Sequence, residues 1–325
     1  MRVTFLGTGT SHGIPVIGCT CAVCASPNPK NRRNRIGVWL HEGPAHTGRD
    51  LTEKGHAEAK TSANAKTAGS ASHVACNDGA PIIPGSDVRP GAETIASPIP
   101  GAAADTTSDR APQGLSAVID ISSEFRLACL DRGLKRLDFA LLTHAHSDHV
   151  SGLDDLRIFS QTTGKAMPIY SDNRTLEDIR ARFAYAFNPP KEYGGGTPQY
   201  DLREVTGVFQ VGGWRITPLP VMHGPEPILG FRIGNFAFIT DVTVIPESTL
   251  ALLDGLDVLA LDCLRKRPHS THLSLDQAIA YAKRIQARRT YLIHLTHELE
   301  HEETENDLPP EIRVAYDGLE IEIAD

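Results

Sequence analysis

No stretch of this 325-residue chain is apolar for long enough to cross a bilayer. The sequence opens Met1-Arg-Val-Thr-Phe-Leu-Gly, without the basic region and apolar core of a secretory leader, so a cytoplasmic location is expected and no membrane partner. An excess of positive charge is also missing: 32 Lys and Arg against 40 Asp and Glu leave a net charge of −8. Nucleic-acid grips need Lys and Arg gathered on one surface, so the balance weighs against nucleic acid as the partner. The local basic run Lys30-Asn-Arg32-Arg33-Asn-Arg35 reads as a solvated loop or an anchor for internal carboxylates. No internal repeat is present.

Aromatic residues are absent from one long segment. Between Gly43 and Gly114 there is no Phe, Trp or Tyr, and Ala, Gly, Ser, Thr and Pro dominate. Such a composition buries little apolar surface, so 43–114 reads as a disordered or loosely packed insertion, whose His46, His56 and His73 are solvated. Ile36 to His41 and Leu115 to Ile121 on either side both look like strands that a hairpin would join. The whole of 1–325 is then a single domain interrupted by that insertion.

Elsewhere strands and helices alternate. Strand candidates are Val3 to Leu6, Phe139 to Leu142, Pro168 to Tyr170, Trp214 to Leu219, Leu229 to Ile233, Phe236 to Thr240, Val258 to Leu261 and Thr290 to Ile293. Helices are expected over Asp172 to Phe187, Pro246 to Leu253 and Ser274 to Ala287. In the last, Ser274 and Gln277 stand at capping-box spacing ahead of an apolar stripe. Two packed sheets covered by helices satisfy the pattern, an α/β class.

Histidine is concentrated rather than abundant. Of 14 His, three fall in His144-Ala-His146-Ser-Asp148-His149, just after a buried-looking strand. A strand end fixes the backbone while the following loop aims side chains, which suits metal ligation. Two zincs need more donors than this cluster supplies, because a catalytic zinc takes three protein ligands and keeps a place for water. His223, Asp241 and His294 each end a further expected strand.

Of six cysteines, Cys19, Cys21 and Cys24 alone are clustered, and three thiols so close suit one soft metal. A thiolate zinc site is usually four-coordinate and structural, so one ligand is missing. His297, three residues beyond His294, is the best candidate.

This His-x-His-x-Asp-His run with a later His, Asp and His resembles the metallo-β-lactamase superfamily, which implies a four-layer αββα sandwich. The resemblance implies that His144, His146 and His223 hold one metal and Asp148, His149 and His294 another, with Asp241 bridging. Two divalent metals, Zn2+ or Mn2+, bridged by hydroxide would give a nucleophile at neutral pH. Leu6-Gly7-Thr8-Gly9-Thr10-Ser11-His12-Gly13-Ile14-Pro15, the Cys cluster and the basic Asn-Arg run together resemble the phosphoribosyl 1,2-cyclic phosphate phosphodiesterase family of the carbon–phosphorus lyase pathway. That likeness implies a structural Zn2+ on Cys19, Cys21, Cys24 and His297. It also marks His272 as a catalytic residue beside Asp148, able to protonate a leaving alkoxide. The implied substrate is a small cyclic phosphodiester. A nucleic-acid-processing nuclease of the same superfamily and a non-catalytic metal-binding accessory protein are the rivals, and relatives leave room for a homodimer. The chain departs from the family at Asp120-Ile121-Ser122-Ser123-Glu124-Phe125-Arg126, where relatives carry Asp-Thr-Gly-Pro-Asp-Phe-Arg, a change that bears on substrate preference.

Overall fold

The computed structural model describes residues 1–43, 114–188 and 196–324, all within one compact unit. The expected insertion, with His46, His56, His73 and Cys76, lies outside the described residues save for its ends.

Strands that read as unbroken apolar runs do so because both of their faces are covered. In Phe236 to Ile239 the two Phe point to one cluster of buried side chains, and Ala237 and Ile239 to another. Val258 to Leu261 divides the same way. The first sheet comprises β1 (Arg2–Gly7), β2 (Gly37–His41), β3 (Ser116–Ile119), β4 (Phe139–Leu141), β5 (Met167–Ser171) and β6 (Tyr200–Glu204). The second comprises β7 (Phe209–Val211), β8 (Trp214–His223), β9 (Glu226–Ile233), β10 (Phe236–Ile239), β11 (Val258–Asp262), β12 (Arg289–Ile293) and β13 (Ile312–Val314). β14 (Glu320–Glu322) returns to the first sheet beside β1, giving two seven-stranded sheets.

The helices are α1 (Phe125–Arg132), α2 (Ser147–Val150), α3 (Arg157–Thr163), α4 (Asn173–Arg182), α5 (Ala184–Phe187), α6 (Glu247–Leu250), α7 (Leu275–Ile285) and α8 (His301–Asp307). Three buried clusters define the layers. Val3, Phe5, Ile119 and Phe139 of the first sheet meet Phe231, Phe238, Ala260 and Ile293 of the second. The outer face of the first sheet carries Phe125 and Cys129 of α1, Phe159 of α3 and Ile179 of α4. The outer face of the second carries Ala278 and Ala282 of α7. The expected αββα sandwich is present.

β2 and β3 pair antiparallel from His41 opposite Ser116 to Val38 opposite Ile119, as the hairpin reading required. The backbone of Glu42 still bonds Leu115 at 2.9 Å, so residues 43 and 114 sit at the strand ends opposite those leading to Asp120. Gly7 has a steric reason: a Cβ there would collide with the Arg35 carbonyl.

Some expectations need correction. Asp172 to Phe187 is not one helix, because Phe183 (φ −106°, ψ 36°) leaves the helical region and separates α4 from α5. Its ring instead packs edge-on to Tyr200, 6.3 Å between centroids. Pro246 to Leu253 is helical only over α6. α7 starts on Ser274 with both capping-box bonds formed. β6, β7, β13 and β14 were not foreseen. They are short, and half-buried or exposed along much of their length, so they lack the apolar runs of the central strands.

Candidate metal centre

Parallel pairing gathers strand ends. β3 through β6 run parallel, as do β10 through β13, and β8 lies antiparallel to β9, which is antiparallel to β10. The C-terminal ends of β3, β4, β8, β10, β11 and β12 therefore converge, and each delivers a polar side chain: Asp120, His144, His223, Asp241, Asp262 and His294. Three of these, Asp120 (φ 60°), Asp241 (φ 53°) and His294 (φ 60°), sit in the left-handed region. Non-glycine residues there cost about 1–3 kcal/mol each and persist where packing overdetermines them.

His144, His146, His223 and Asp241 present ligand atoms all within 4.8 Å of one another, and so do Asp148, His149 and His294. Asp241 faces both sets. Its Oδ2 lies 3.7 Å from His144 Nε2, and its Oδ1 lies 3.4 Å from both His149 Nε2 and His294 Nε2. Asp148 Oδ2 is likewise 3.4 Å from each of those two nitrogens.

These contacts are long for hydrogen bonds but suit a shared cation. Two donors about 2.1 Å from one zinc, at a tetrahedral angle, stand about 3.4 Å apart. His149 Nε2 is buried and has no hydrogen-bond partner, while its Nδ1 is fixed at 2.8 Å from Asp120 Oδ2. His223 likewise gives Nδ1 to the Thr271 carbonyl at 2.8 Å, turning Nε2 inward. An outer nitrogen tied to an oxygen and an inner lone pair left open is the arrangement of metal-ligating histidines. The donor set fits a divalent pair.

The electrostatics agree. Burial opposes charge on His149, yet Asp241, Asp120 and Asp148 hold it well above the usual imidazole value. Burial would raise Asp148 and Asp241, but His149 and His294 hold both well below the carboxylate range. Burial, with neighbouring His149, drives His144 well down, and burial with His223 lowers His146. Neutral imidazoles and ionised carboxylates are the forms that bind cations.

His272 belongs to the same cluster. Its ring stacks on His294 at 4.7 Å, its Nε2 lies 3.8 Å from Asp241 Oδ2, and its Nδ1 lies 3.3 Å from Asp262 Oδ1. Burial lowers its basicity, but Asp262 and Asp241 outweigh that and push it up to about 9. Asp262 also accepts the Leu273 N–H at 2.9 Å and lies 3.7 Å from His294 Nδ1.

Sequence reasoning missed Asp120 and Asp262. Each is a single carboxylate at a strand end with no neighbouring partner in the chain, so no spacing signalled it.

A second cluster stands apart from the first. His297 Nδ1 lies 3.3, 3.5 and 3.4 Å from the sulfurs of Cys19, Cys21 and Cys24. A nitrogen and a sulfur on one tetrahedral zinc stand about 3.6 Å apart, so this set also fits. The Cys24 N–H lowers the Cys21 thiol to about 6, whereas burial raises Cys24 to about 11. The loop is tied down by Arg33, a fully buried guanidinium that donates to the carbonyls of Thr296 (3.0 Å) and Leu299 (2.8 Å). The basic run thus anchors carbonyls at Arg33 and a carboxylate at Arg35, which pairs with Glu124.

The β-lactamase superfamily domain family matches residues 115–295. The octanoyltransferase of Porphyromonas gingivalis (strain ATCC BAA-308 / W83) is 31% identical over 324 residues, 98% of this chain and 51% of that protein. Ribonuclease Z of Mycobacterium bovis (strain BCG / Pasteur 1173P2) is 31% identical over 159 residues, 43% of this chain and 56% of that protein. The chain thus spans about half the length of these two curated relatives. A solved structure described as a new diphosphatase from the PhnP family superposes with a TM-score of 0.73 at 30% identity, covering 99% of this chain and 98% of that one. With its two sheets, their helical covers and the strand-end His and Asp cluster, the chain belongs to the β-lactamase superfamily domain family, as a hydrolase of the metallo-β-lactamase fold.

Proposed function

We propose that this chain is a metal-dependent phosphodiesterase acting on small phosphodiesters of the phosphoribosyl 1,2-cyclic phosphate kind. The observation that carries the reading is Asp241, whose two oxygens face two separate sets of donors. His144, His146 and His223 would hold one cation and Asp148, His149 and His294 the other. When bound, a divalent pair supplies an activated water at neutral pH and a clamp for phosphoryl oxygens.

The rest of the work falls to the chain's own groups. Asp120 and the Thr271 carbonyl hold His149 and His223 in the tautomers that leave their inner nitrogens open. Asp262 holds the Nδ1 side of His272, so Nε2 faces the reacting centre and gives its proton to the departing oxygen. The cavities touching the cluster are about 200 and 220 Å³, room for a small ester and not for a duplex. The net charge of −8 points the same way.

Likeness to a ribonuclease Z supports a second reading, RNA processing, and the diphosphatase relative supports phosphoanhydride cleavage at the same centre. The test is turnover of bis(p-nitrophenyl) phosphate, ribose cyclic phosphates, a nucleoside diphosphate and a tRNA precursor by metal-loaded protein. Asp148→Ala should abolish measurable turnover of the cyclic phosphates, and His272→Ala should slow it about 10²- to 10⁴-fold. A wild type shown to hold two metals per site yet inert on the diesters would sink the proposal.

A further inference from the structure

The phosphodiesterase reading leaves open what holds the part of the substrate that does not react. One cavity beside the cluster, of about 220 Å³, is lined by Ser11, Arg35, Ser123, Ser147, Asp148 and Ser151. Asp148 belongs to the metal-facing set, so anything held here lies next to the reacting centre. The rest of the lining is four hydroxyls and one guanidinium, with no aromatic or aliphatic side chain. A nucleobase would find no platform to stack on. Hydroxyls both donate and accept, so the lining matches a group that does the same.

The cup is built, not incidental. The Ile121 N–H donates to the His149 carbonyl at 2.7 Å, and the Gly152 N–H donates to the Ile121 carbonyl at 2.9 Å, pinning the loop that carries Ser123 to the segment around Asp148. Gly152 is required for that approach, since a Cβ would strike the Ser122 carbonyl. Arg35 closes the far side, donating from Nε to the Ser11 carbonyl at 2.7 Å and from Nη1 to Ser123 Oγ at 2.9 Å. Glu124 pairs with the same guanidinium, so its charge is largely spent and the cup is not an anion trap. Ser122-Ser123 is also where the sequence leaves its family's Gly-Pro.

Resting on the phosphodiesterase reading, we propose that this cup, through Ser123, Ser151 and Arg35, binds the hydroxyl-bearing sugar portion of the substrate and sets the preference for a sugar phosphate over a bare phosphate ester. At about 30 Å³ per water, the volume is that of several waters or one small sugar ring.

The test is calorimetric binding of ribose 5-phosphate and of inorganic phosphate to metal-loaded protein, which needs no turnover. Wild type should bind the sugar phosphate more tightly. In Ser123→Ala/Ser151→Ala that preference, the ratio of the two Kd values, should fall about tenfold, the scale of two modest hydrogen bonds. Ser151→Thr keeps a hydroxyl and should retain most of it. A wild type without the preference, or a double variant that keeps it or weakens both ligands equally, overturns the assignment. A wild type that shows the preference but turns over no cyclic phosphate refutes the phosphodiesterase reading and leaves the sugar cup standing.

Discussion

Asp262 is wholly buried and touches both His272 and His294, so it positions two imidazoles without meeting substrate. Asp262→Asn keeps the shape and removes the charge that pairs with His272. The expected result is a 10- to 100-fold drop in kcat, the usual cost of losing such a supporting group, with metal content retained and the pH profile of kcat displaced. An unchanged profile would reduce Asp262 to a packing role. His301 gives a separate pH signal. Burial, with Lys30 and Arg33 nearby, holds its imidazole down to about 4, and its buried Nδ1 has no hydrogen-bond partner. An unfolded chain takes up that proton near pH 6.5, so stability is complete above that pH and falls as pH drops towards about 4. His301→Leu removes the titration and should flatten the decline in Tm over that window; a parallel decline would place its cause elsewhere. At this scale the metal donors were legible because His144 to His149 is a local cluster and His223, Asp241 and His294 each follow a readable strand. Asp120 and Asp262 were not, because their partners come from other strand ends and only the folded sheet brings them together.

Among elements, the loop from Ile14 to Cys24 has the least to hold it. Its core is only Ile14, Val23 and Cys24, with Val16, Cys19 and Cys21 half-buried around them. Three thiols and His297 in one tetrahedral set offer the cross-link that such a loop lacks. Cys24→Ser should therefore lose one metal equivalent by elemental analysis and lower Tm by several degrees while the His and Asp centre keeps its own metals. Full metal content in the variant would remove the cluster from the list of ligands. The same logic of burial separates the strands that could be read from those that could not. β10 and β11 are covered on both faces and appear as apolar runs; β6 and β7 at the other edge of their sheets show no such run. The break at Phe183 was invisible for a related reason, since a ring that leaves the helix to meet Tyr200 follows a tertiary contact and not a local propensity.

At the scale of the whole molecule, the two sheets and their helical covers are complete in the described residues, and every member of both metal-facing sets lies within them. The chain leaves this unit at 43 and re-enters at 114, at the ends of two directly paired strands. Glu42 and Leu115 are already backbone partners, and Gly114 packs against Glu42, so the gap is that of an ordinary hairpin. Those ends point away from the strand termini that carry Asp120 and the cluster. Replacing 44–113 by a two- to four-residue Asn-Gly type turn should then leave a folded protein whose Tm lies within about 3 °C of the full chain and whose metal content is unchanged. Its kcat/KM on bis(p-nitrophenyl) phosphate should stay within about twofold. A fall of tenfold or more with metal content intact would instead assign the segment a part in substrate handling. A failure to fold would show that the sandwich depends on contacts that the apolar clusters of its two sheets do not reveal.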